Sequence, residues 1–120
     1  MTDESKALES AADELACYCR LGGVMDLLSR KYAMQVLCVV NATEPTRFRE
    51  LEELLPDAST STLSARLDEL AEARLLDRTQ YDEIPPRVEY EMTADGSELA
   101  ERLKPVLEWA GEREGTTGEA

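Results

Sequence analysis

The sequence predicts a mainly α-helical domain with a small β-hairpin near its C-terminal third, and three observations carry that prediction. Leu63, Leu67 and Leu70 recur at i, i+4 and i+7, the spacing of one buried helical face. Two short β-type runs, Leu76 to Tyr81 and Val88 to Met92, follow directly and are separated by Asp-Glu-Ile-Pro-Pro-Arg. A further helical pattern precedes the first helix across a short turn that holds Pro56. Helix, turn, helix, ribbon is the order of a winged helix-turn-helix reader, in which a helix enters the major groove and the ribbon lies beside it. The expected domain is 1–114: an N-terminal dimer helix over 1–22, a DNA-binding core over 24–93 and a C-terminal dimer helix over 93–114. Residues 115–120 are expected to be a disordered tail.

Each element has a local cause. Residues 3–20 read as a helix with a small-residue stripe of Ala7, Leu8, Ala11, Ala12, Leu15 and Ala16. That stripe suits a dimer partner or the domain's own core. Gly22-Gly23 ends it. Val24 to Asn41 reads as one helical unit, with Leu28, Tyr32, Val36 and Val40 at i+4 steps. Thr43-Glu44-Pro45 is a turn. Arg47 to Leu55 is the next helix, with Thr46 expected as its cap and Phe48, Leu51, Leu54 and Leu55 facing inward. Ser59 caps the following reading helix, because its hydroxyl can accept a first-turn N–H. Pro85 and Pro86 lack N–H donors, so they belong in the loop at the ribbon's tip, with Arg87 beside them. Thr93 is expected to cap the last helix, where Leu99, Leu103, Val106, Leu107 and Ala110 form a stripe. Pro105 inside that stripe is expected to kink or break the helix near Arg102. Trp109, the single tryptophan, is expected in a core or an interface.

Composition sets limits. The chain has 120 residues, enough for one domain, and no apolar run long enough to span a membrane. No basic-then-apolar leader is apparent, so the expected location is cytoplasmic. Net charge is −13, from 26 acidic and 13 basic residues, and the basic set is ten Arg against three Lys with no His. Such an acidic, Lys-poor surface resembles that of halophilic proteins. Over 43–93 alone, six basic and thirteen acidic residues leave −7. Long-range attraction to DNA is therefore absent or reversed, although at 1 M salt the Debye length is only about 3 Å. Contact-range groups then decide. The candidates for DNA contact are Lys31, Arg47, Ser59, Thr60, Ser61, Thr62, Ser64, Arg66, Arg78 and Arg87. Arg66 flanks the leucine stripe, so an ion pair with Glu69 or Glu50 competes with a phosphate contact. Arg78 has a cross-strand pair with Glu89 or Glu91 as its alternative.

Catalysis has no support. There is no His, no nucleophile–base constellation and no Gly-rich phosphate loop, and no cofactor is implied. Cys17-x-Cys19 is neither the redox Cys-x-x-Cys spacing nor part of a His-containing zinc set, so no metal site is expected. Cys38 falls in the apolar Val36–Val40 run and reads as a small buried hydrophobe. Cys19 and Cys17, at the end of the dimer-candidate helix, are the redox candidates, with inert packing as the alternative.

From about Cys19 to Trp109 the chain resembles the HxlR family of winged-helix transcriptional regulators. The resemblance rests on Cys19 twelve residues before Lys31-Tyr32, on Arg47-Phe48-Arg49-Glu50-Leu51, and on Leu63-Ser64-Ala65-Arg66-Leu67-Asp68-Glu69-Leu70. The most specific stretch is Ile84-Pro85-Pro86-Arg87-Val88-Glu89-Tyr90-Glu91-Met92-Thr93, followed by Gly96 and Trp109. The resemblance implies a homodimer that binds duplex DNA through the Ser59 helix and the wing and represses or activates nearby promoters. It also implies thiol sensing in some members, at the position Cys19 matches, so an oxidant or a small molecule is the implied effector. This chain departs from the family in having Tyr32 for Trp, Arg20 for Pro, Arg74 for Gly, and Thr60-Ser61-Thr62 where the reading helix is commonly basic. The other reading of the sequence is an acidic winged-helix interaction module that does not bind DNA.

Overall fold

The computed structural model describes residues 23–118. The expected dimer helix over 1–22, with Cys17 and Cys19, lies outside the described residues. The elements run α1 (Val24–Leu28), α2 (Ala33–Thr43), α3 (Phe48–Leu54), α4 (Thr60–Glu72), β1 (Leu76–Tyr81), β2 (Arg87–Met92) and α5 (Ala94–Gly118). Their shared core is built from Leu28, Val36, Leu37, Val40, Leu51, Leu63, Leu67, Leu70, Leu76 and Tyr90. α4 is the helix that the sequence marks as the candidate reading helix, and its buried residues are the three leucines that the spacing picks out.

The single helix expected over Val24 to Asn41 is two. Between them the chain turns at residues 29–32, where Ser29 Oγ donates to the Asp26 carbonyl at 2.6 Å. Tyr32 takes φ 70°, in the left-handed region. Leu28 and Val36 remain buried on either side of the turn. Two short helices that bury one side in a shared core keep the i+4 pattern of one, so periodicity cannot separate them.

Thr46 is not the cap of α3. It is fully buried, and its N–H and C=O exchange hydrogen bonds with Tyr90 at 2.8 Å each. This isolated antiparallel bridge ties the turn after α2 to β2. The Thr46 hydroxyl meets Thr43 Oγ1 at 2.8 Å, so no buried polar group is left unmade there. Arg47 takes the N-cap position of α3 instead, and its own N–H is accepted by Glu50 Oε1 at 3.2 Å.

The reading helix ends in a Schellman motif. Leu75 N–H reaches back to the Leu70 carbonyl and Arg74 N–H to that of Ala71, both at 3.0 Å. Arg74 occupies the left-handed residue of this motif at φ 61°. A side chain there costs about 1 kcal/mol relative to glycine. The chain then enters a two-stranded antiparallel ribbon, in the register Leu76↔Met92 to Tyr81↔Arg87.

Thr93 caps α5 as its position suggests: Gly96 N–H donates to Thr93 Oγ1 at 2.9 Å. The same hydroxyl donates to the Arg74 carbonyl at 2.7 Å. α5 runs unbroken through Pro105, and the carbonyl that this proline leaves without a partner belongs to exposed Glu101, where water can reach it. The ladder of α5 is assigned as far as Gly118, into the 115–120 segment expected as a tail. Glycine and threonine weaken such a ladder by at most about 1 kcal/mol each. Trp109 fills no core among the described residues. It is 56% exposed, with Arg113 over its ring at 4.1 Å, next to Val106 at 57%.

Two substitutions test the turn after α4. Arg74→Gly is expected to raise stability by about 1 kcal/mol, seen as a higher urea midpoint at unchanged slope. Gly96→Ala is expected to lower it by about 2 kcal/mol or more, because the added Cβ would sit 1.9 Å from the Leu75 carbonyl oxygen.

Candidate nucleic-acid interface

The start of α4 is where the candidate contacts concentrate. Ser59 is the N-cap, and its Oγ accepts from the Thr62 N–H at 3.1 Å. Its own hydroxyl lies 2.8 Å from Thr62 Oγ1 and 3.2 Å from Ser61 Oγ. Thr60 Oγ1 donates to Glu52 Oε2 on α3 at 3.2 Å. These bonds fix the first turn; Thr60, Ser61 and Ser64 are the exposed hydroxyl residues of the helix, Thr60 engaged by Glu52 and Ser61 and Ser64 one turn apart along its length. Hydroxyls of this kind can contact phosphates or base edges.

Arg66 takes the intradomain course. Its Nε donates to the Lys31 carbonyl at 2.8 Å, and its Nη1 lies 2.7 Å from Glu69 Oε1. Glu69 is also bonded by Arg30, which lies 3.5 Å from Asp26 as well. Partial burial pushes the Glu69 carboxyl up. The hydrogen bonds and charges of Arg66 and Arg30 outweigh that and hold it below its ordinary value. One flank of the reading helix is thus tied to the α1–α2 turn. Lys31 itself is exposed at that turn, with Nζ 5.5 Å from the Tyr32 ring centre.

Arg78 and Arg87 also differ from their expected settings. Arg78 pairs with Tyr90 in the register, so it lies on the opposite face of the ribbon from Glu89 and Glu91 and meets neither. It lines a groove with Arg74, Glu72 and the start of α5, at the C-terminal end of the reading helix. Arg87 is the first residue of β2 rather than the tip of the loop. It lies over the Tyr81 ring at 4.1 Å and pairs with Glu83 at 3.2 Å. The Tyr81 phenol is held above its ordinary value, first by its hydrogen bond to Glu89 and then by that carboxylate's charge. Arg47, by contrast, is exposed and shares a groove with Arg49, Pro86 and Val88, between α3 and the wing.

The structure therefore leaves Ser61 and Ser64 exposed on the reading helix and Arg47 exposed in the groove between α3 and the wing, and it engages Arg66 and Arg87 within the domain. Arg74, absent from the sequence candidates, joins Arg78. Its signal in the sequence is the Arg where the pattern calls for Gly at a helix end. Cys38 is partly rather than fully buried, and burial raises its thiol pKa, which disfavours the reactive thiolate. Among the described residues no group of His, Cys, Asp and Glu side chains is arranged to hold a metal ion, and no helix is long and apolar enough to cross a membrane.

Comparison with known proteins agrees with this fold. The family model described as HxlR-like helix-turn-helix matches residues 27–116. The chain is 36% identical to YvaP of Bacillus subtilis, an uncharacterized HTH-type transcriptional regulator, over 78% of this chain and 85% of that protein. The reduced form of the transcriptional regulator YodB from B. subtilis superposes with a TM-score of 0.62 at 29% identity, covering 72% of this chain and 84% of YodB, which has also been solved after diamide treatment. A possible HxlR family transcriptional factor from Thermoplasma volcanium superposes at 0.69 with 25% identity, over 79% and 84% of the two chains.

The Glu69 bridge sets an acid limb. A carboxyl held below its ordinary value adds stability that is complete above about pH 4.3 and is lost as pH falls through the folded value. Glu69→Gln is expected to cost about 1 kcal/mol at pH 7 and to make the loss of stability below about pH 4 shallower. Equal urea midpoints at pH 7 for the two proteins would contradict this.

Proposed function

Since this chain belongs to the HxlR-like helix-turn-helix family, whose members are transcriptional regulators, we propose that it binds duplex DNA sequence-specifically as a homodimer. The reading helix supplies Ser61 and Ser64 for contact, the capped turn from Ser59 to Thr62 orients them, and Arg47 supplies a phosphate contact from the α3 side. Lys31 and Arg78 are peripheral contacts on this reading. The single observation that carries the proposal is the disposition of α4. Its leucine face is buried, one flank is held by Arg66 and Glu69, and the first two turns of the edge left to solvent carry short hydroxyl side chains, with Asp68 and Glu72 following only toward the C-terminal end. The exposed Val106 and Trp109 on α5 support the dimer, since a second copy would cover them.

Two finer features belong to the same proposal. The first is a high-salt setting in the cytoplasm. The −7 charge over 43–93 opposes DNA at low ionic strength, and screening removes that opposition. The second is regulation by a thiol oxidant or small molecule. Cys19, with Cys17 nearby, is the sensing candidate, supported by the likeness to YodB and by the poor reactivity that burial gives Cys38. The second reading, an acidic interaction module without DNA binding, is favoured by one observation: Arg66 and Arg87 are both neutralised within the domain.

Titration of the full chain with duplex from its own promoter region, from low salt to molar KCl, separates the two readings. Binding that persists or strengthens at molar KCl is expected. A folded dimer that binds at no salt concentration would establish the interaction module instead. In the same assay, addition of diamide is expected to change the affinity of the wild type and to leave Cys19→Ser unaffected. An equal response in both would remove Cys19 as the sensor.

A further inference from the structure

The wing is closed at its neck by Arg87. Its guanidinium covers the ring of Tyr81, its partner across the ribbon, at 4.1 Å. It pairs with Glu83 at 3.2 Å and lies 4.0 Å from Glu89, and its Nε is buried without an acceptor. The Glu83 N–H donates to the Tyr81 carbonyl at 2.9 Å, which completes the closure. On its other edge, β2 is held by the bridge to Thr46. The loop beyond this neck, residues 82–86, contains no basic residue. After exposed Asp82 and Glu83, its outer end is apolar: Ile84 is fully exposed, with exposed Pro85 and Pro86 next to it. The prolines restrict the backbone, so this tip is ordered before it meets anything, and a preordered contact loses less freedom on binding.

On the reading that the protein binds duplex DNA, on which this inference rests, we infer that the wing enters the minor groove with Ile84 and Pro85 as an apolar contact, and that Arg87 is a positioning residue that holds this tip rather than a phosphate contact. Apolar side chains are suited to the minor groove, where they wedge against base steps. The phosphate backbone is the less suitable target for this tip, because Asp82 and Glu83 precede Ile84 and the nearest cation, Arg87, is already engaged by Glu83. An apolar contact releases no counterions, so it has a distinct signature in the salt dependence of binding.

The test measures affinity for duplex from the protein's own promoter over a KCl series, with wild type, Ile84→Ala, Ile84→Leu and Arg87→Gln. Ile84→Ala is expected to bind roughly tenfold more weakly at every salt concentration, with an unchanged slope of log K against log [KCl]. Its melting temperature should not move, because the side chain is fully exposed. Ile84→Leu should restore most of the affinity. Arg87→Gln should weaken binding while keeping the wild-type slope. Binding by Ile84→Ala equal to that of wild type would overturn the inference and leave the DNA reading intact. A slope changed by about one in Arg87→Gln would also overturn it, since that marks a lost phosphate contact. Absence of wild-type binding at every salt concentration would instead remove the DNA reading, and this inference with it.

Discussion

Three elements meet at the backbone of Leu75. Its N–H closes the reading helix on Leu70, and its C=O accepts the Thr93 N–H at 3.2 Å, where β2 passes into α5. The same carbonyl lies so close to Gly96 that no side chain fits there. Thr93 secures the seam from the other side, donating to the Arg74 carbonyl while it caps α5. The direction of the reading helix, the root of the wing and the start of the C-terminal helix are therefore fixed by one short stretch of main chain. Arg74 sits in a left-handed conformation at this seam, a local strain that the surrounding hydrogen bonds hold in place.

The charges are organised less simply than a net −13 suggests. One face of the ribbon carries Asp77 opposite Glu91 and Thr79 opposite Glu89, with Tyr81 and Arg87 at its end. Like charges directly opposite each other destabilise a ribbon, and salt relieves them. The arginines that could offset the acidity toward DNA are turned to internal tasks, Arg66 at the α1–α2 turn and Arg87 at the neck of the wing. Among the proposed contacts, those on the reading helix and at the wing tip, Ser61, Ser64 and Ile84, are short or apolar and uncharged, and the exposed cations Arg47, Lys31 and Arg78 lie apart from them on other elements. A surface of that kind owes little to long-range steering and depends on fit at contact range.

Much of the fold was legible in the sequence because local chemistry specifies it. The leucine stripe of α4, the Ser59 and Thr93 caps and the limits of β1 depend on residues within a turn or two of each other, and they appear where the patterns place them. Two of the misreadings concern positions that distant partners settle. Thr46 looks like a cap until Tyr90 is brought against it. The turn at residues 29–32 is held by Arg66, which lies 35 residues from Lys31 in sequence. For the candidate site, the hydroxyl face of the reading helix was legible from spacing alone. The arginines were not, since residue type shows that a cation is present and not which carboxylate holds it.

On the proposed function, the exposed Ser61–Ser64 edge of the reading helix meets DNA while α5 serves another copy of the chain. Backbone amide chemical shifts followed in molar KCl, as promoter duplex is added, address it most directly. The largest changes are expected at Ser61, Ser64 and their neighbours on α4 and in the wing loop, with little change from Leu103 to Ala110. Changes confined to α5, or none along α4, would contradict it.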